Sequence, residues 1–514
     1  MRTRDYGCCA VWCDTCQPST NPGEPMDTSL VLDSPFLTGH HQPNRMEVDA
    51  PDLVIRGRLP EDLAGVFYRN GAEPLYPPTD EDYHWFDGDG MVYGFFIENG
   101  RVSMRNRWVR TDKFLLEQGQ GRRLFGVLGN PMTTDPSTEG TRYNTANTNV
   151  IIHGGKLLAL MEGAPPVALE PRTLDTLGEE TYGGLITTTF SAHPKVDHAT
   201  GELINIGNAV HGLGGDPVIR YDVLDFDGVP VVTELIPVPH MTMLHTFFVT
   251  ENWVVFPVMP LELSLQRAMR GGPMTAWVPG RPSKLGLMPR RGTAADVRWI
   301  EVEPRHMLHE ANVWEDAQGR IVADVAAAEG TALFPDVDGN RASHAETQQS
   351  LRRWTIDPKA PTDTLNEEIL NDRDIQFPRP DDRLMARRSR HAFANSNLNS
   401  RDGRVDGMDS ALRVDTVTGA EDLYHFGAGT AAGELIFAPR VGSAGELDGY
   451  ALTLVHRAGA AESELVVFDA ADIAGGPIAR AVIPFRVPSG FHCSYYSVDS
   501  PLYQQAFVSR RADA

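Results

Sequence analysis

A chain of 514 residues with 69 Asp and Glu against 46 Lys and Arg carries a formal net charge of −23. That acidic excess, with no block of Lys or Arg to offset it, repels phosphate backbones and excludes nucleic acid as an expected partner. No apolar run approaches the roughly 20 residues needed to span a bilayer, and the N-terminus lacks the apolar core of a secretory signal, so a cytoplasmic location is expected.

Residues 1–45 are rich in Pro, Thr, Asn and Gly and show no apolar period, so they read as a disordered extension ahead of one domain over 46–514. Cys8, Cys9, Cys13 and Cys16 crowd this stretch, and the C-x-x-C spacing of the last two could hold zinc. The extension also contains Met26, with Met46 at its border, as a start placed too far upstream would. Cys493 is the single thiol of the body, which cannot form an internal disulfide and fits a reducing compartment.

From about Val54 onward, short β-like runs follow one another between Gly, Pro, Asp and Asn: GRVSMRNRWVR, NVIIHGGKLLALMEG, ELINIGNA, WVVFPVM and GYALTLVHR among them. Strand density over this length, without alternating helices, predicts an all-β propeller rather than a smaller sandwich, with a pair of β domains as the alternative. The DGDG at 87–90 reads as a turn between strands, not as a phosphate loop. The main helix is expected over 261–272, LELSLQRAMRGG, with Leu261, Leu265, Ala268 and Met269 on one face. Such a face packs on the body, or near a tunnel mouth could touch a membrane that supplies a lipophilic substrate.

Four histidines stand in separate strand-like phrases: His193 in FSAHPKVD, His245 in MLHTFFV, His309 in HMLHEANVWED and His492 in VPSGFHCSYY. A propeller points its innermost strands at one axis, so ligands from distant blades can ring a single iron, copper or zinc ion. Glu162, at the end of KLLALME, and Glu434, in AAGELIFAPR, sit beside apolar strands where an unpaired carboxylate is costly. Each suits the task of receiving the outer N–H of a metal-bound imidazole.

Further phrases accompany these along the chain: GVFYRNGAEP, HWFDGDGMVYGF, NRWVRTDKF, LFGVLGNPMTTDPSTEGT, NTANTNVIIHGGKLLALME, SAHPKVDHATGEL, FPRPDDR and GELIFAPR. In that order, over about 50–492, the chain resembles the carotenoid cleavage oxygenases, and especially their bacterial stilbene- and isoeugenol-cleaving branch. The resemblance implies a seven-bladed propeller with a few short helices and loops over the active-site face. It also implies non-heme Fe(II) on His193, His245, His309 and His492. His309 rather than His306 takes the H-x-x-N position before Asn312. The carboxylates behind the ligands carry over to Glu162 and Glu434, and a third such position, usually Glu, is Gln376 here. Thr148 matches a threonine that crowds one open position on the iron.

The implied reaction inserts both atoms of O2 across a conjugated C=C bond of a small lipophilic substrate, either apocarotenoid or stilbene-like, giving two carbonyl products. Phe86 and Phe334 are expected as aromatic walls of the pocket. A Tyr and a Lys that bind a phenolic oxygen in the branch are replaced by Leu128 and Met161, so a substrate without a 4-hydroxyphenyl group at that point is expected. The rival readings are a metal-dependent hydrolase or isomerase on the same scaffold, and a propeller that only binds partners.

Overall fold

The computed structural model describes residues 34–78, 83–398 and 408–509. The β-like runs form seven antiparallel sheets around one axis and one separate two-stranded hairpin. Five blades take successive stretches of chain, beginning at Asn149, Lys195, Phe248, His306 and Ile375. Burial follows depth within a blade. Gly65–Glu73, packed on both faces, is buried at every position, whereas Pro230–Pro237, at the edge of its sheet, is mostly exposed.

The remaining two blades close the ring. Cys493–Ser497 supplies the innermost strand of the first blade by pairing with Gly65–Glu73, Cys493 opposite Arg69. Val54–Gly57 in turn adds an outer strand to the last blade, against Ala479–Ile483. Each end of the domain is thereby stitched into the other's sheet. Closure also fixes His492, the residue immediately before the C-terminal strand.

Three local expectations change. Within 261–272 only Leu265–Ala268 is helical, because Leu261–Leu263 pairs as a strand with Thr275–Trp277. The Arg267 guanidinium secures this excursion by donating to the Glu262 carboxylate at 2.9 Å and to the Pro273 carbonyl at 2.6 Å. The expected shared face is split: Leu261 is buried and Met269 is 71% exposed.

The DGDG phrase is only half turn, since Asp89 and Gly90 open the strand Asp89–Glu98. Finally, residues 34–45 of the stretch read as extension lie on the body. Two short 3-10 turns, Pro35–Leu37 and Gly39–His41, precede Asn44, whose N–H donates to Glu73, and the His40 carbonyl accepts from Ser489. The four N-terminal cysteines lie outside the described residues.

Candidate metal centre and cleft

The four histidines predicted as ligands come together: one ring nitrogen from each of His193, His245, His309 and His492 lies within 4.8 Å of the others. Each comes from a different blade. His193, His245 and His492 stand just ahead of the inner strands Lys195–Asp197, Phe248–Val249 and Cys493–Ser497. His309 lies within His306–Glu315, where register shifts on both sides of it mark bulges that re-aim side chains. His306 lies outside the cluster.

A second layer, which the sequence reading missed, ties three of these strands together. Glu310, Lys195 and Thr246 each lie within two residues of a clustered histidine. The Lys195 ammonium pairs with Glu310 and donates to Thr246 Oγ1 at 3.0 Å, and Thr246 donates to Glu310 Oε2 at 2.7 Å. The fourth strand is held by backbone: His492 N donates to the Thr148 carbonyl and Asn70 N to the His492 carbonyl. The only available sequence signal was a charged or hydroxyl residue one or two places after each histidine, too common to single out.

The carboxylates divide by role. Glu162 binds His245 Nδ1, leaving its Nε2 facing His309 Nε2 at 3.4 Å. Glu434 accepts from His492 Nδ1 at 3.1 Å and from Cys493 N at 2.6 Å, and it pairs with Arg379 at 3.3 Å. Burial pushes Glu434 upward, but Arg379 and His492 outweigh it and hold the carboxyl below its usual range. Gln376 does not complete the set, because His309 Nδ1 is buried with no hydrogen-bond partner, and the His309 ring packs on that of Phe377 with centroids 5.2 Å apart.

The donor set fits a metal ion. His193 Nε2 is buried without a partner, although an unpaired buried ring nitrogen is costly. Burial first, and the neighbouring imidazoles second, hold His193 and His309 well below the usual histidine range. They are therefore neutral, as ligands must be, and four imidazoles suit iron, copper, zinc or nickel better than calcium or magnesium.

The cluster lies between two cavities. One, of about 590 Å³, is lined mainly by apolar side chains and includes Thr148, Glu162 and Gln376 together with the expected pocket residues Phe86, Leu128, Met161 and Phe334. The other, of about 140 Å³, is lined by His193, His309 and His492 together with Glu434 and Arg379. Leu128 is held in a left-handed conformation, φ 52°, by a buried ionic group. Asp87 accepts from Leu128 N at 2.9 Å and also binds Arg123 and Tyr143. Next to it Asp89 pairs with Lys113 at 2.6 Å. The phrase read as a turn thus braces the wall of the large cavity.

Comparison with known proteins decides the family. The model of the retinal pigment epithelial membrane protein family, which comprises the carotenoid cleavage oxygenases, matches residues 41–497. The chain belongs to that family. Among curated relatives, the isoeugenol monooxygenase of Pseudomonas nitroreducens is 34% identical over 90% of this chain and 98% of its own length. The resveratrol cleavage oxygenase 1 of Aspergillus fumigatus is 36% identical over 90% and 95%. Among solved structures, Pseudomonas brassicacearum lignostilbene dioxygenase superposes with a TM-score of 0.85 at 36% identity, covering 90% of this chain and 99% of that one. The Synechocystis apocarotenoid oxygenase gives 0.79 at 29% identity, over 89% and 98%. The chain is accordingly a cleavage oxygenase on a seven-bladed propeller.

Proposed function

We propose that His193, His245, His309 and His492 hold ferrous iron, and that the chain uses O2 to split a conjugated C=C bond of a lipophilic substrate into two carbonyl products. The observation that carries this reading is the placement of four neutral imidazoles from four blades at the wall of an apolar cavity of about 590 Å³. Kinship with named oxygenases favours it over a hydrolase, an isomerase or a binding-only propeller. When bound, a ferrous ion supplies the electron exchange that ground-state dioxygen needs to react with an alkene.

The chain's own residues do the rest. Glu162 and Glu434 hold the Nδ1 protons of His245 and His492, so each ring presents Nε2 to the centre. Thr148 stands on the cavity wall with its hydroxyl donating to Asn147 at 3.0 Å, which leaves its methyl as the group that would crowd the centre. The aromatic walls at Phe86 and Phe334 exclude water and fix a flat conjugated chain, so that one double bond is presented.

Leu128 and Met161 shape the choice of substrate. Neither offers a charged or hydroxyl partner, so a free phenol placed there forfeits its water hydrogen bonds at about 1–3 kcal/mol. An apocarotenoid or other polyene therefore ranks first, and a non-hydroxylated or O-methylated phenylpropanoid second. The test is to incubate iron-loaded protein with apocarotenals, stilbenes and propenylphenols and to identify the aldehydes by mass spectrometry. Oxygen-dependent carbonyl products are expected; turnover without oxygen, or no carbonyl product from any compound, overturns the reading.

A further inference from the structure

Residues 34–45 precede the first strand of the propeller, yet they reach its large cavity. His41, half-buried, shares the cavity lining with Trp85, Phe86 and Phe491. Together with Phe36 and His84, which do not line it, these residues form a closed circuit of six rings. Centroids lie 4.6 Å apart for His41 and Trp85, 4.5 Å for Trp85 and Phe491, and 5.4 Å for Phe491 and Phe86. The circuit returns through His84, 4.5 Å from Phe86, and Phe36, 5.2 Å from His84 and 6.0 Å from His41. Tilted and edge-on ring pairs of this kind attract beyond the area they bury. Burial first, and Arg341 second, lower His84 to about 4, so its ring packs uncharged near neutral pH.

The segment is pinned on both sides of this circuit. Asn44 N donates to Glu73 at 2.8 Å, and the Arg45 guanidinium donates to the Pro74 carbonyl at 3.0 Å. Ser489 N donates to the His40 carbonyl at 2.8 Å, and Arg486 donates to the Pro43 carbonyl at 3.3 Å. The first anchor is the end of the strand Gly65–Glu73, and the second leads within a few residues to Phe491 and to His492 of the cluster. Closure of the propeller needs neither, since the strands Val54–Gly57 and Cys493–Ser497 accomplish it. Trp85 and Phe86, by contrast, stand on the single 3-10 turn Trp85–Asp87, which is too short to be rigid by itself.

We infer that residues 34–45 are a positioning strap for the conjugated substrate. His41 adds a ring to the cavity wall, and with Phe36 at its back the strap holds Trp85, Phe86 and Phe491 in place beside the histidine cluster. A flat polyene laid against a rigid wall can slide only by giving up ring contacts, so one double bond stays at the cluster. This deepens the proposed function and rests on it for the class of molecule bound.

The test reads geometry apart from turnover. An achiral all-trans apocarotenal has no circular dichroism free in solution and gains a visible band when a rigid protein wall holds it. Titration of that band, on iron-loaded full-length protein without oxygen, gives both a Kd and an amplitude at saturation. His41→Ala and Phe36→Ala are each expected to weaken binding about two- to tenfold, the scale of a lost ring contact, and to lower the amplitude by about half. With oxygen admitted, mass spectrometry should show aldehydes from a neighbouring double bond beside the wild-type pair. His41→Phe should restore most of the band, whereas Gln42→Ala, at an exposed position of the same strap, should match wild type throughout.

Wild-type Kd and amplitude in both alanine variants overturn the strap. So does a loss that His41→Phe fails to repair or that Gln42→Ala shares, and so does a wild type that gives no band. Where wild type shows the band and both alanine variants weaken it, but no carbonyl product follows oxygen, the strap stands and the proposed cleavage falls. Iron content and melting temperature are checked in every variant. Should Phe36→Ala fail to fold, His41→Ala and His41→Phe decide alone.

Discussion

Two imidazoles of the cluster lean on carboxylates and two do not. His245 and His492 have Glu162 and Glu434 behind them, while His309 Nδ1 is buried without a partner and His193 is held through its strand. The backed pair has its tautomer fixed by charge and hydrogen bonding, and the unbacked pair only by packing. Within the backed pair the carboxylates differ again: Glu434 is 1% exposed and tied to Arg379 and to the backbone of Cys493, whereas Glu162 is partly exposed and serves His245. One group combines structural and chemical duties, and the other is free for chemistry alone.

The largest expected effect comes from breaking the cluster itself. Alanine at His193, His245, His309 or His492 should remove most bound iron, measured by elemental analysis, with the fold retained by circular dichroism. His306→Ala should keep the iron. Full occupancy in any of the four would remove that residue from the centre.

Next comes the contrast between the carboxylates. Glu434→Ala leaves the His492 and Cys493 N–H groups unpaired in the interior, while Arg379 keeps Asp382 at 2.7 Å, so it should lower stability by about 1–3 kcal/mol and weaken iron binding as well. Glu162→Ala should weaken iron binding about 10- to 100-fold with little change in melting temperature. Similar melting temperatures for the two variants would erase the distinction.

A smaller effect is expected where backing is missing. Gln376→Glu puts a carboxylate next in sequence to Phe377, whose ring packs on His309, and should tighten iron binding by up to about tenfold. Gln376→Leu should change little, because the structure shows no bond there to lose. Looser iron in the leucine variant, by competition with a chelator, would show that the glutamine already backs the ring.

The smallest effects belong to the cavity wall. Leu128→Tyr with Met161→Lys should move preference toward 4-hydroxystilbene over its O-methyl ether by about tenfold in kcat/KM, leaving iron content unchanged. Faster wild-type cleavage of the free phenol than of both the ether and an apocarotenal would sink the apolar-end reading.

Much of this centre was legible before any fold was known. Strand-like phrases closed by turns announced an all-β chain, and the four histidines with Glu162 and Glu434 stood out by context and by resemblance to one family. The helix over 261–272 failed because its period was read without the partner strand Thr275–Trp277, whose pairing outweighs local helix propensity. Asp87 and Asp89 were passed over because turn residues are commonly acidic. Only burial beside Arg123 and Lys113 shows that they brace the cavity.

By itself the sequence determined most of the strands and which four histidines would come together, since period, residue type and motif are local properties of the chain. Tertiary structure alone decided which carboxylate meets which imidazole and that Gln376 leaves His309 unbacked. Those relations join residues of separate blades or strands, and what fixes them is closure of the ring by the strands at its two ends.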